Sequence, residues 1–124
     1  MQNNSLVLQY RIDGWGSTED LEKRARLEDL IDARLQNESN GECDGGDIGS
    51  GTINIYLEDV SDPQRALEAV IAVLKEAQEL DGAVIAQSRY TEAQDGENED
   101  DRELEDYLVL WPPDFEGEFE IMYL

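Results

Sequence analysis

The stretch TINIYLEDVSDPQRALEAVIAVL, residues 52–74, changes its side-chain period in mid-course. Over 52–60 apolar and polar residues alternate: Ile53, Ile55 and Leu57 point one way, and Asn54, Tyr56 and Glu58 the other. That is the period of a strand with two unlike faces. After Ser61, Asp62 is a natural N-cap and Pro63 a natural first helical residue. From there to Leu80 the apolar residues Leu67, Val70, Ile71, Leu74 and Ala77 recur at helical spacing. Gly82 supplies a stop. A strand followed so closely by an amphipathic helix must fold the helix back onto the sheet, which narrows the architecture to mixed α and β layers.

The same succession occurs near the start. LVLQYRI (6–12) alternates, with Leu6, Leu8, Tyr10 and Ile12 on one side and Val7, Gln9 and Arg11 on the other. This predicts a strand with one buried face. Ser17 and Asp20 form a capping box for a helix over Thr18–Leu35, with Leu21, Leu27, Leu30, Ile31 and Leu35 on its apolar side and Arg24 and Glu28 outside. Residues 36–51 hold five glycines and read as a polar loop with at most a weak edge strand near Glu42–Ile48. AVIAQSRY (83–90) is the next strand. The expectation is an α+β fold: a ferredoxin-like β-α-β-β-α-β sandwich, two helices on one face of an antiparallel sheet, with extra C-terminal strands. The chain of 124 residues is read as a single domain. Residues 1–90 form the sandwich unit, 91–106 an acidic loop, and 107–124 an extension of two strands broken at Pro112 and Pro113: in 107–113 Leu108 and Leu110 oppose Tyr107, Val109 and Trp111, and in 117–124 Phe119, Ile121 and Tyr123 oppose Glu118, Glu120, Met122 and Leu124.

The charge is lopsided. The chain has 31 acids, 9 bases and a net charge of -22. Residues 91–124 carry 13 of the acids and one base, so the last quarter holds over half the net charge. A field of this sign repels phosphates and anionic lipid headgroups, which argues against direct nucleic-acid binding and against membrane-surface binding. It attracts basic proteins, polyamines and divalent cations. An acidic surface of this composition also suits solubility in concentrated salt, although here the charge is clustered.

Several chemistries lose their means. Histidine is absent, which removes the commonest general base and zinc ligand. Cys43 is the single cysteine, so no internal disulfide forms, and Glu42, Asp44 and Asp47 around it disfavour the thiolate. No run of residues approaches a membrane span and the N-terminus has no signal-peptide pattern, so a cytoplasmic location is expected. Asp95, Glu97, Glu99 and Asp106 stand at positions 1, 3, 5 and 12 of a calcium-loop register, but Asp100 occupies the place that needs glycine. DGGDIGSG (44–51) leads into a strand instead of a helix and lacks the lysine of a phosphate loop. No catalytic residue, metal ligand or cofactor is assigned.

DGENEDDRELED (95–106) is the densest run of charge. Acids beside large aromatics make a binding face, the charge steering a partner and the rings anchoring it. The candidate protein-binding residues are Glu97, Glu99, Asp100, Asp101, Glu103, Glu105 and Asp106, with Tyr107 and Trp111 as anchors. A DNA-mimic version would need these acids in rows. Two other readings stand beside it. In one, the sheet face without helices forms a cleft for a small molecule or for carboxylate catalysis, with Asp47, Asn54, Tyr56 and Glu58 in it. In the other, the chain is a dimerising module. Monomer and homodimer are both compatible with the sequence.

The turn, strand, DP cap and helix of DGGDIGSGTINIYLEDVSDPQRALEAVIAVL (44–74) resemble those of small bacterial proteins with ferredoxin-like folds. In size, acidity and lack of catalytic groups the whole chain resembles acidic immunity proteins, which neutralise toxins from neighbouring cells. That resemblance implies an inhibitor whose partner is a basic protein, such as a toxin or nuclease.

Overall fold

The computed structural model describes residues 4–49, 51–91, 104–115 and 119; at 89–91 and 104–106 it describes the backbone alone. The element order is β1 (Asn4–Arg11), α1 (Thr18–Asn37), β2 (Glu42–Gly49), β3 (Thr52–Val60), α2 (Pro63–Ala77), β4 (Val84–Thr91) and β5 (Leu104–Trp111). The strands form one sheet in the order β2-β3-β1-β4-β5, and each neighbouring pair is antiparallel. The class is α+β.

Both helices start where the caps require. Ser17 Oγ accepts from the Asp20 amide and the Asp20 carboxylate accepts from the Ser17 amide, closing the box at both ends. Asp62 Oδ1 accepts from the Arg65 amide at 3.2 Å, with Pro63 next to the cap. The stops differ from expectation. Helix α1 runs two residues past Leu35. Helix α2 ends at Ala77, where Gln78 turns left-handed at φ 61°, so Gly82 serves the following turn and does not cap the helix.

Leu27, Ile31 and Leu35 form a single i, i+4, i+8 row on α1, and they are buried to completion. Leu21 and Leu30 fall to either side of that row and are 47% and 44% exposed, so the apolar stripe is narrower than the sequence suggests. Helix α2 adds Ala66, Leu67, Val70, Val73 and Leu74. These close over Leu6, Leu8 and Tyr10 of β1, Ile53, Ile55 and Leu57 of β3, and Ile85 of β4 in one core. Fully burying side chains of this size contributes about 1.5–3 kcal/mol each.

The polar segment before β3 is more ordered than its composition implies. Asn40 is buried, and its Oδ1 accepts from the Ser61 hydroxyl and from the Ser61 and Asp62 amides while its Nδ2 donates to Asp62 O. This one side chain joins the exit of α1 to the entrance of α2. Strand β2 then forms in full over Glu42–Gly49, with an irregularity in register between Cys43 and Gly46.

The sheet's second face also departs from expectation. Val7, Gln9, Asn54 and Ala86 point away from the helices yet are 2%, 7%, 1% and 0% exposed. Strand β1 is therefore buried on both faces, as suits the middle strand of five. Phe119 lies on this side: its ring meets Tyr107 edge-on, with centroids 5.1 Å apart.

Candidate functional site

Strand β5 begins at Leu104, so Glu105 and Asp106 belong to the sheet, opposite Tyr90 and Arg89. Tyr107 pairs with Ser88, which pairs with Ser5, and this places Tyr107 on the helix-free face. Trp111 does not share that face, as strict alternation from Tyr107 would require. The register slips between Ile85 and Ala86: Ala86 pairs with Val109, but Ile85 pairs with Trp111. One extra residue on β5 makes a bulge that turns the chain over. Trp111 thereby packs against the helix-side core beside Leu110. Glu97, Glu99, Asp100, Asp101 and Glu103, and the strand expected over 117–124 apart from Phe119, lie outside the described residues. The two anchors thus sit on opposite faces, and Trp111 stands seven residues from the start of β5, about 24 Å along the strand.

A second group of carboxylates gathers where β2 borders β3. Glu42 pairs with Glu58, and Asp59 follows in a left-handed conformation at φ 56°. A hydrogen bond shared with the Asp59 carboxyl, reinforced by the charges on Asp59, Asp44 and Asp32, raises the pKa of Glu42 above the ordinary glutamate range. Asp32 behaves in the opposite way. Its Oδ1 accepts from the Cys43 amide at 2.9 Å and Gln36 also donates to it, which holds its carboxyl below the usual range. Asp32 therefore serves as a clasp between α1 and β2. Sequence reasoning passed over it because it reads as one more acid on a solvated helix.

The sign of the Glu42 shift fixes its effect on stability. A carboxyl whose folded pKa is raised binds its proton more tightly when folded, so the fold loses stability as pH rises through that pKa. Glu42→Gln and Asp59→Asn are each expected to give a small rise in Tm at pH 7; asparagine also tolerates the left-handed backbone at 59. The gain should fade as pH falls toward 4.5, the ordinary value for glutamate. Thermal melts of both variants across this interval check it, and a gain that does not vary with pH contradicts it.

The helix-free face carries a connected polar row. Gln9 Nε2 donates to Asn54 Oδ1 at 2.9 Å, and Asn54 Nδ2 donates to Asp47 Oδ1 at 2.8 Å and to Thr52 Oγ1 at 3.2 Å. Tyr56 Oη donates to the other oxygen of Asp47 at 2.8 Å. Ser5 Oγ donates to Glu58. The residues proposed for a cleft are thus brought together, but they satisfy one another. With a hydrogen bond on each oxygen, Asp47 is placed for holding strands together.

Cys43 is half-buried, and burial first, then Glu28, Asp32 and Asp44, push its thiol up to about 11. It is a weak nucleophile at neutral pH. Among the described residues no three Cys, Asp or Glu side chains are grouped to hold a metal ion, and no helix is long and apolar enough to cross a membrane. An open groove of about 510 Å³ lies at the far end of the β4–β5 pair, between Leu80, Ala83 and Val84 on one side and Trp111 and Pro112 on the other, with Asp81 among its lining residues. Comparison with protein-family models, with curated proteins and with solved structures finds no match to this chain.

Proposed function

We propose that this chain is an acidic, immunity-type binding protein that docks on a basic protein and blocks it, built on a ferredoxin-like sandwich that β5 extends. The order β2-β3-β1-β4 with two β-α-β crossovers supports the ferredoxin-like reading, with β5 appended beside β4. The observation that carries the functional reading is the acidic border of β2 and β3, where Glu42 pairs with Glu58 and Asp59 follows, in a chain of net charge -22. Like charges held this close oppose folding and cost stability in the free protein. A cationic partner relieves that repulsion, so the arrangement favours a bound state. The mutual satisfaction of Asp47, Asn54 and Tyr56 weighs against carboxylate catalysis on the open face.

The test uses a panel of small folded proteins of high isoelectric point, with acidic proteins as controls, measured by surface plasmon resonance. A saturable one-to-one complex with a basic protein is expected, with an association rate that falls steeply as salt is added. Reversing Glu42 and Asp44 to lysine should weaken it by about tenfold, and reversing Asp100, Asp101 and Glu103 tests the acidic run separately. Equal affinity in that triple variant removes the acidic run from the site. Binding that ignores salt overturns the electrostatic reading altogether.

A further inference from the structure

We infer that the groove beside Trp111 receives an arginine side chain of the basic partner; this rests on the binding reading above and names one of its contact points. The groove of about 510 Å³ is walled by Leu80, Ala83, Val84, Trp111 and Pro112, all apolar, and Asp81 is its one charged lining residue. Such a lining suits a side chain with an apolar stem and a cationic head. An arginine buries its methylenes along aliphatic walls, its guanidinium stacks on an indole face, and a carboxylate at the same opening accepts its N–H groups. Arginine fits better than lysine, because its flat and weakly hydrated head loses less on leaving water. The electrostatics agree, since the chain's charge of -22 draws cations to any concave surface that also holds an acid.

The position gives the inference its shape. The β4–β5 pair sets Thr91 opposite Leu104 at one end, while Val84 and Trp111 lie at the other end. The bulge at Ile85/Ala86 matters here, because it takes Trp111 away from Tyr107's face and onto the side where the groove opens.

The two tryptophans make the test direct. Trp15 is 67% exposed, and Trp15→Phe leaves Trp111 as the sole indole emitter. Full-length protein with that change is titrated with a short arginine-rich peptide, with the same peptide carrying lysine, and with the same peptide carrying citrulline, which keeps the shape of arginine without its charge. Expected are a saturable change in Trp111 emission with the arginine peptide, a weaker one with lysine and none with citrulline. Asp81→Asn should weaken the arginine peptide by about fivefold. An arginine peptide that binds by calorimetry while Trp111 emission and the Asp81→Asn affinity stay unchanged overturns the groove and leaves the binding reading in place. Basic folded proteins that bind while the peptide does not have the same meaning. Failure of both basic proteins and peptide removes the reading and the groove together.

Discussion

Gly46→Ala should destabilise the fold by about 3 kcal/mol, near the upper end of what overpacking costs. The reason is local and rigid. A Cβ at residue 46 would stand 2.2 Å from the carbonyl oxygen of Asn54, and 2.9 Å from Glu28 Oε1. Glu28 is a long side chain and can withdraw. The Asn54 carbonyl is backbone in β3, and β3 is held between β2 and β1, so it cannot move without disturbing both ladders. Gly45 provides the control. Nothing lies within 4 Å of a Cβ there, but its φ of 90° strains any other residue. Gly45→Ala should therefore cost about 1 kcal/mol from backbone strain alone. Urea unfolding of the two variants beside the parent measures the difference. Equal losses would show that β2 is free to shift outward and that the close approach to β3 is not a constraint.

Those two glycines explain part of what the sequence concealed. Five glycines in residues 36–51 read as freedom to bend, yet Gly46 is required because another backbone leaves no room for a side chain. Composition cannot separate the two uses. The strands β1, β3 and β4 and both helix starts were legible because alternation and cap chemistry are local. The C-terminus of α2 was not, since Gln78 adopts the left-handed cap that glycine usually takes. The burial of the second sheet face was hidden for a different reason. Gln9 and Asn54 alternate with apolar residues as solvent-facing polar groups do, and only a partner across the strands makes them fit for burial. The candidate site followed the same pattern. Tyr107 and Trp111 share a face by parity, and one bulged residue, which leaves no clear mark in the sequence, sets them apart. The clasp formed by Asp32 and the knot around Asn40 depend on contacts between distant segments, which no local pattern records.

Asn54→Ala should cost about 3 kcal/mol, because it removes three hydrogen bonds made by one fully buried side chain. Asn54 is 1% exposed; its carbonyl oxygen takes the buried Gln9 amide, and its own amide reaches Asp47 and Thr52. Tyr56→Phe removes the other donor to Asp47 and alone should cost about 1 kcal/mol, the net worth of an ordinary hydrogen bond. The two losses should not add, since both act on one carboxylate. A double-mutant cycle between them is expected to show a coupling of about 1 kcal/mol, and repeating Tyr56→Phe in an Asp47→Ala background should nearly abolish its effect. Strict additivity would mean that the row is a set of separate contacts. The cycle also bears on the proposed function. Asp47 and Asn54 bind β2 to β3, and the crowded acids Glu42 and Asp59 sit farther along this same strand pair. If that border only presents charge, Asn54→Ala assayed well below its Tm should bind a basic protein as the parent does. A loss of affinity in fully folded Asn54→Ala would instead show that the buried polar row fixes the shape of the border on which those acids stand.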